Sequence, residues 1–283
     1  MKKYPSIIKW SGSKRLVATQ LAEHFPTFKR YFEPFVGGGS MLPYSNGKVG
    51  FASDIIPELI NLWEIIKQNP YEVAKEYKTR WEKLQQQGPN VYYEVRDSFN
   101  KTRDSHDFLF LTRTCVNGLI RFNSDGDFNN SYHLSRAGII PERLESQLYI
   151  WSKAIQNITF KACDYRETLS IAEKGDFVFL DPPYGGTKGR YQAKPFDFEA
   201  FFSELERLNS IGVKWMLTFD GKAGERTYSF APPTELYKSK FPIFTGNSAF
   251  TKLENKKLDK IEESVYANYK ITHETLNLFK DID

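Results

Sequence analysis

The strongest chemical signal in the sequence is a strand-like apolar run that ends in an acidic residue, two prolines and a tyrosine. This motif is Asp181-Pro182-Pro183-Tyr184, and it follows the run 176–180. An exocyclic amine needs one acceptor for each of its two hydrogens if its lone pair is to point at an electrophile. The Asp181 carboxylate and the Pro182 carbonyl can supply both acceptors, and the ring of Tyr184 can stack on a planar base. We therefore predict chemistry on an NH2 group, with these four residues as the catalytic set.

A second signal is a glycine-rich turn that follows a short aromatic strand. Residues 35–40 (Phe-Val-Gly-Gly-Gly-Ser) form this turn, and Asp54 lies 17 residues beyond Gly37. In nucleoside-binding βαβ units the backbone approaches the ligand at glycine, and a carboxylate at about this spacing meets the ribose hydroxyls. Met41 and Leu42 stand where a dinucleotide fingerprint has its third glycine. The pattern therefore favours a nucleoside cofactor without a pyrophosphate.

The elements that must position these motifs are predicted from hydrophobic patterning. Apolar runs rich in aromatic and β-branched residues predict strands at 30–36, 48–53, 158–162, 176–180, 213–219 and 264–269. Helical spacing of apolar residues predicts helices at 57–68, 167–173 and 198–208. Strands that alternate with helices are typical of a mostly parallel α/β sheet.

The middle of the chain interrupts this alternation. Residues 70–105 are more polar, with apolar residues at roughly helical intervals, and 117–130 contains an Asn-Ser-Asp-Gly turn signal that predicts a hairpin or loop. Residues 108–114 fit either a strand or a buried helical turn. We therefore predict a catalytic domain made of residues 1–55 and 146–283. A mostly helical domain, residues 56–145, is inserted into it.

The composition is that of a folded protein with a mildly basic surface. The 283-residue chain has a net charge of +4 and a sequence pI of about 8.8. Residues 1–30 contain seven Lys or Arg and one acid, and 185–196 contains three basic residues and no acid, so both segments could follow a phosphate backbone. Cys115 and Cys163 lack histidines at metal spacing, so neither a disulfide framework nor a metal site is predicted. The sequence lacks a long apolar run and a cleavable leader, so we expect a cytoplasmic protein without a membrane partner.

The order of these motifs resembles that of the Dam-type, alpha-class (D12) DNA adenine-N6 methyltransferases. The matching segments are Lys9 to Lys14 (Lys-Trp-Ser-Gly-Ser-Lys), Phe35 to Gly39, Asp54, Asp164 and Asp181 to Tyr184, which together span nearly the whole chain. Within the predicted insert, 92–96 and 117–129 resemble the EcoRV-type modification enzymes in particular. The resemblance implies a Rossmann-like class I methyltransferase sheet with an inserted target-recognition domain.

The resemblance also implies the reaction and the cofactor. Methyl transfer from S-adenosylmethionine to adenine N6 would be direct, without a metal ion, and the adenine would have to leave the base stack to reach the catalytic set. The residues expected to hold S-adenosylmethionine are Trp10, Lys14, Phe35, Gly37, Gly39, Asp54 and Asp164.

Double-stranded DNA is the expected partner. Arg121 lies where such enzymes read the guanine 5′ of the target adenine, and an arginine fork can meet O6 and N7 of guanine together. We therefore expect a recognition site that contains 5′-GA. The residues assigned to DNA contacts are Lys9, Asn117, Arg121, Asn123, Lys188 and Arg190.

Departures from the family pattern and other functions bear on this interpretation. Relatives often have Phe-Asn-Val-Pro-Phe-Gly where this chain has 128–133 (Phe-Asn-Asn-Ser-Tyr-His), and Ser13 replaces a usual second glycine. Cytosine N4 and glutamine amides also present an NH2 group, although the leading Asp181 favours adenine. A non-catalytic DNA-binding protein and a nicotinamide oxidoreductase are the other classes to test. We expect a monomer, encoded by a bacterium or phage, with no obligate protein partner. The sequence leaves open whether a separate restriction endonuclease is a functional partner.

Overall fold

A single mixed sheet forms the centre of the protein, as seen in a computed structural model that describes residues 3–135, 137–183, 196–223, 226–228, 231–247 and 260–271. Its strands in that part of the chain are β1 (Tyr31–Glu33), β2 (Gly50–Asp54), β3 (Ile158–Ala162), β4 (Phe177–Leu180), β5 (Lys214–Ala223), β6 (Arg226–Tyr228), β7 (Ser239–Asn247) and β8 (Lys260–Ala267). The strand order is β3-β2-β1-β4-β5-β8-β7, and β6 pairs with β5. The first five strands in this order, which are β3, β2, β1, β4 and β5, are parallel. Strand β8 runs antiparallel to both of its neighbours, β5 and β7. The predicted α/β class with a mostly parallel sheet is confirmed.

Helices connect the strands and cover the sheet. They are α1 (Ala18–Ala22), α2 (Pro57–Gln68), α3 (Pro70–Gln87), α4 (Asn90–Thr102), α5 (Ser105–Thr114), α6 (Pro141–Ala154), α7 (Tyr165–Ser170) and α8 (Phe198–Ser210). Proline begins α2, α3 and α6, since the first helical turn has no partner for the missing N–H. Side chains of Asn69, Asp104, Asp164 and Asp197 accept main-chain hydrogen bonds at the start of α3, α5, α7 and α8.

The strand order reverses beside β1, and this reversal determines where a ligand can enter. From β1 the chain moves outward to β2 and β3, returns to β4 on the other side of β1, and continues to β5. Connections after β1 and β4 therefore leave in opposite directions and open a crevice at the carboxyl ends of these strands. The glycine-rich turn follows β1, and Asp181 follows β4. Both chemical motifs thus lie at this crevice.

Each face of the sheet has its own hydrophobic core. One core contains Phe32, Val178, Leu180 and Leu217 and packs under α7 and α8. The other contains Tyr31, Phe177, Phe179 and Met216, and it continues without interruption into α2 to α6 through buried residues such as Trp63, Phe108 and Trp151. The helices between β2 and β3 therefore share a core with the sheet. The division into two domains stays a prediction.

Several predicted bounds differ from the observed ones for local reasons. The predicted strand 30–36 shortens to β1, because Pro34 has no N–H for a strand ladder and the turn begins soon after it. The predicted helix 167–173 begins earlier, at Tyr165, because Asp164 caps it. Residues 108–114, which fitted a strand or a helix, belong to α5.

In the described ranges, none of the helices is long and apolar enough to cross a bilayer.

Candidate active site

A row of polar side chains crosses neighbouring strands on one face of the sheet. Glu33 ends β1, Asp181 follows β4, Thr218 lies in β5 and Glu263 lies in β8. Side chains alternate between the faces of a strand, so each of these residues shares its face with the core residue two positions away. Those core residues are Tyr31, Phe179, Met216 and Val265, all in the core that continues into α2 to α6. Because β1, β4, β5 and β8 are consecutive in the sheet, the row brings three acids and a hydroxyl together.

Lys14 provides a positive charge to this row. Its ammonium lies 2.8 Å from Asp181 Oδ1 and 3.2 Å from Glu263 Oε2, and it donates to the carbonyl of Gly12 at 3.1 Å. The side chain of Lys14 is 2% exposed and that of Glu263 is 7% exposed. A buried ammonium is stable only when it is paired and hydrogen-bonded, and these three oxygens meet that requirement. The sequence-based expectation placed Lys14 against the cofactor, and that role stays a prediction.

The Asp181 carboxylate receives a second donor from the neighbouring strand. The hydroxyl of Thr218 donates to Asp181 Oδ1 at 2.8 Å, so Oδ1 is shared by Thr218 and Lys14. The Asp181 side chain is 23% exposed, Pro182 is buried and Pro183 is exposed. The carboxylate thus lies at the edge of the row, reachable from the crevice. Tyr184 lies outside the described residues.

Glu33 is a buried acid that is hydrogen-bonded to a tyrosine of the same strand. The hydroxyl of Tyr31 donates to Glu33 Oε2 at 2.8 Å. Burial raises the pKa of Glu33 well above its usual range, and the charge of Asp181 adds to the rise, while the Tyr31 hydrogen bond opposes it. The shift favours the neutral acid. Sequence reasoning missed Glu33, Thr218 and Glu263, although two-residue alternation from the apolar core positions could have put them on the face of Asp181.

The glycine-rich turn brings the backbone close to two tryptophans. Gly37 and Gly39 have positive φ angles of 45° and 67°. A Cβ atom at Gly37 would lie 2.6 Å from Trp10 Nε1, and one at Gly39 would lie 2.6 Å from Trp63 Cζ2. The indole of Trp63 also donates to the Gly37 carbonyl at 3.1 Å. These positions therefore require glycine for both conformation and space.

Asp54 ends β2 opposite the turn, and the residue as a whole is half-buried. Its two oxygens accept main-chain N–H groups of Gly37 at 3.2 Å and Ile56 at 3.3 Å. Desolvation raises the pKa of Asp54 to about 6, and the main-chain hydrogen bonds only partly oppose this rise. Each carboxylate oxygen retains a lone pair for a further donor. Hydroxyl groups of a ribose are donors of this kind.

Asp164 and Phe35 both lie at the start of α7. Asp164 follows β3 and caps α7, and its carboxylate accepts from Arg166 Nε at 2.7 Å. That guanidinium lowers the pKa of Asp164. The ring of Phe35 packs 5.3 Å from Tyr165 and 6.0 Å from Phe201, between centroids. The structure therefore places both residues near the carboxyl ends of the strands, and contact with a cofactor stays a prediction for both.

Four of the residues assigned to DNA lie in the described ranges, one in the N-terminal segment and three in the loop after α5. Lys9 packs against Gly118, where a Cβ would lie 2.7 Å from Lys9 Cβ. Asn117 is exposed with a φ of 56°. Arg121 is exposed, and its Nε donates to Asn129 Oδ1 at 2.7 Å.

The remaining assignments to DNA differ in their outcome. The side-chain oxygen of Asn123 accepts from the main chain of Asp125 at 3.0 Å and of Asp127 at 2.8 Å, so this oxygen organises the loop itself. Lys188 and Arg190 lie outside the described residues. Lys9 of the N-terminal segment thus lies against the loop that carries Asn117 and Arg121. DNA contact by any of these residues stays a prediction.

The donor set around the turn fits a nucleoside cofactor. The glycines let a ligand approach the backbone. Asp54 ends β2 and Asp164 follows the adjacent parallel strand β3, and both carboxylates retain acceptor capacity. Within the described ranges, no group of three or more His, Cys, Asp or Glu side chains is arranged to hold a metal ion.

Comparison with known proteins assigns the chain to a family. The sequence profile of the D12 class N6 adenine-specific DNA methyltransferases matches residues 10–247. A DNA adenine methylase of Vibrio cholerae is 32% identical over 188 residues, which cover 65% of this chain and 66% of that protein. One of Serratia marcescens is 31% identical over 65% of this chain and 68% of that protein. A DNA N-6-adenine-methyltransferase of Escherichia phage P1 is 31% identical over 238 residues, covering 76% of this chain and 30% of that protein. The chain therefore belongs to the D12 class N6 adenine-specific DNA methyltransferase family.

Proposed function

We propose that this protein transfers a methyl group from S-adenosylmethionine to N6 of adenine in double-stranded DNA. The observation that carries the proposal is the Asp181 carboxylate at the end of β4, fixed by Lys14 and Thr218 beside the glycine-rich turn. Asp181 and the Pro182 carbonyl are the two acceptors for the amine hydrogens, and Tyr184 is the stacking residue. The cofactor is held by Trp10, Lys14, Phe35, Gly37, Gly39, Asp54 and Asp164.

The charges around Lys14 suit a cationic methyl donor. The single ammonium of Lys14 lies between the carboxylates of Asp181 and Glu263, so acid groups exceed basic groups at this point of the row. Once bound, S-adenosylmethionine would supply an electrophilic methyl group. The N6 lone pair would form the new N–C bond as the S–C bond breaks to leave a neutral thioether, and one N6 proton would pass to solvent. Asp181 orients the amine and stabilises the positive charge that develops on nitrogen.

Access to N6 requires the adenine to leave the duplex. In the duplex one N6 hydrogen is used in the base pair, and the neighbouring bases cover the faces of the ring. A flipped adenine, which costs a few kcal/mol to form, is therefore the state that fits the crevice. The inserted helices and the loop after α5 form the target-recognition domain in this proposal. The cytoplasmic location, the monomeric state and the lack of an obligate protein partner stay predictions.

The first test measures modified nucleosides. Unmethylated DNA is incubated with the protein and S-adenosylmethionine, digested, and examined by mass spectrometry for N6-methyladenine. Asp181→Asn keeps the shape of the side chain but removes its charge, so we expect the rate to fall roughly 100-fold or more. Asp197→Asn is the matched control, because Asp197 is exposed and caps α8, a role that asparagine also performs.

The outcomes separate the candidate substrates. N6-methyladenine that depends on Asp181 but not on Asp197 supports the proposal. N4-methylcytosine instead would transfer the proposal to another base. Absence of any methylated base from the wild-type reaction, with the cofactor still bound, would refute DNA methylation.

The recognition site is a finer part of the same proposal. We propose that it contains 5′-GA and that the recognition loop is of the EcoRV type, with Arg121 on the guanine. The exposed guanidinium of Arg121, whose Nε is held by Asn129, supports a preset reading residue. Methylation-sensitive sequencing of treated plasmid DNA gives the site directly. Methylated adenines preceded by bases other than guanine would contradict this proposal without affecting the reaction type.

A further inference from the structure

We propose that Thr218 is a positioning residue that orients the Asp181 carboxylate for the target amine. This inference rests on the proposed function, in which Asp181 receives an amine hydrogen. Thr218 lies outside the residues that sequence motifs indicated, on the strand next to β4. It touches Asp181 rather than the substrate, so its effect on the reaction acts through Asp181.

The contact is short, buried and placed by the sheet itself. Thr218 Oγ1 lies 2.8 Å from Asp181 Oδ1 and 3.4 Å from the Leu180 carbonyl. A hydroxyl has one hydrogen to donate, and the shorter, charge-assisted contact to the carboxylate is the stronger one. Leu180 pairs with Leu217 in the parallel ladder, so the next residue on each strand, Asp181 and Thr218, are neighbours by register. Thr218 has no solvent exposure.

Lys14 and Thr218 differ in how firmly they can hold the carboxylate. Lys14 reaches Asp181 through a long side chain, and its ammonium is also shared with Glu263 and the Gly12 carbonyl. Threonine is β-branched and stiff at χ1, and Thr218 is fixed between β4 and β8 in the sheet. We therefore assign the charge compensation to Lys14 and the orientation of the carboxylate to Thr218.

The two donors determine which oxygen of Asp181 serves the substrate. The donors that the described residues supply, Lys14 and Thr218, both reach Oδ1. Oδ2 is then the oxygen that receives the amine hydrogen. With Oδ1 fixed at two points, rotation of the carboxylate about χ2 is restricted, and Oδ2 keeps a constant direction. Without the Thr218 hydroxyl, the carboxylate can rotate and the amine lone pair loses its alignment.

The test removes the hydroxyl while keeping the shape of the side chain. In Thr218→Val we expect the rate constant of methyl transfer, measured in single-turnover methylation of duplex DNA, to fall roughly 10- to 100-fold, the range of a hydrogen bond to a charged group. KM for DNA and the affinity for S-adenosylmethionine should change by less than about twofold, because no substrate contact is lost. Thr218→Ser keeps the hydroxyl and should restore most of the rate.

Two comparisons separate positioning from a general packing defect. Thr112→Val makes the same change at another fully buried threonine, whose hydroxyl donates to the Leu109 carbonyl at 2.9 Å, and it should leave the rate constant of methyl transfer unchanged. If Thr218→Val does not fold, Thr218→Ser and Thr218→Ala give the same comparison, because they differ only in the hydroxyl.

The possible results are distinct. A wild-type rate in Thr218→Val, or equal rates in the serine and alanine variants, would overturn the positioning role. An equal loss in Thr112→Val would also overturn it, since packing alone would then explain the effect. Failure of the wild-type protein to produce N6-methyladenine would instead refute the proposed function, so the two failures can be told apart.

Discussion

The pKa values of the carboxyl groups in the site are shifted in different directions, because the surroundings of these groups differ. Burial raises the pKa of Glu33 well above its usual range and that of Asp54 to about 6, whereas Arg166 lowers the pKa of Asp164. Asp54 has main-chain donors for its oxygens, and desolvation still dominates over them. A carboxylate in this state gains from each further donor that a ligand brings. Residues that lower stability in the free protein can thus strengthen binding.

The pH dependence of stability tests this view of Asp54. Its pKa in the folded protein, about 6, exceeds the ordinary value of 3.8, so the folded chain binds the proton more tightly than the unfolded chain. The contribution of Asp54 to the free energy of unfolding therefore decreases as the pH rises from 3.8 to about 6 and remains lowered at neutral pH. Asp54→Asn should remove this decrease.

The measurement is urea unfolding of both proteins across that pH range. At pH 7 we expect Asp54→Asn to be more stable than the wild type by on the order of 1 kcal/mol, allowing for the water that reaches the carboxylate, with no gain near pH 4. Titration calorimetry should show weaker binding of S-adenosylmethionine to the same variant. A gain in stability that is equal at both pH values would contradict the argument.

Residues within motifs could be identified from the sequence, and residues brought together by the sheet could not. Asp181, Gly37 and Asp54 stand out because rare residue types follow strands at recognisable spacing. Alternation along each strand could place Glu33 and Thr218 on a face of the sheet, but their position beside Asp181 depends on the strand order. That order places β1 beside β4 although the two strands are far apart in sequence, and nothing in their own residues specifies it.

At the scale of elements, the glycine-rich turn couples β1 to α2. Trp63 of α2 is fully buried, donates to the Gly37 carbonyl and fills the space beside Gly39. The turn is therefore held from the helix side as well as from the Trp10 side. This packing fixes the conformation in which a cofactor would meet the backbone.

Substitution of Gly39 by alanine tests this coupling. The positive φ costs an alanine about 1–2 kcal/mol, and the contact with Trp63 adds overpacking of about 1–3 kcal/mol, so stability should fall by more than the conformational term alone. Gly47→Ala is the control, because Gly47 has a φ of 71° and no neighbouring atom within 4 Å of an added Cβ. Thermal unfolding and S-adenosylmethionine affinity are measured for both variants. Equal losses of stability, or unchanged affinity in Gly39→Ala, would contradict the coupling.

Helices with apolar residues on one side, and strands with a clear apolar pattern, could be predicted from the sequence. The helix at Pro57–Gln68 and the strand at Ile158–Ala162 have the predicted bounds. Strand β7 was not predicted, because Pro242 interrupts its pattern; proline is tolerated there since β7 is the edge strand of the observed order. The helix α1 was also not predicted, because five residues are too few to show helical periodicity.

At the scale of the whole molecule, the helices between β2 and β3 and the sheet share a hydrophobic core. The core that contains Phe177 and Met216 of the sheet also contains Phe99 and Phe108 of α4 and α5. A shared core couples the stability of both regions. We therefore expect the protein to unfold in one cooperative transition, although the sequence suggests two domains.

A substitution that creates a cavity among the helices between β2 and β3 tests this coupling. Phe108 is fully buried, and its ring lies 5.5 Å from that of Phe99, so Phe108→Ala should cost about 3–5 kcal/mol. Calorimetry should show one transition at a lower temperature in the variant. Tyr71→Ala, at a side chain that is 61% exposed, is the control and should shift the transition little. Two resolved transitions, with only one displaced by Phe108→Ala, would show independent domains.

The tryptophans beside the glycine-rich turn also give the protein an optical property. Trp10 is partly exposed and lies against Gly37, while Trp63 is buried and donates a hydrogen bond to the carbonyl of the same residue. Indole emission responds to the polarity and the charges around the ring. A cationic ligand that settles on this turn displaces water from one indole and brings a charge near both. The intrinsic fluorescence of the unlabelled protein should therefore report occupancy of the proposed cofactor site, and Trp10→Phe should identify the part of the signal that comes from the partly exposed indole.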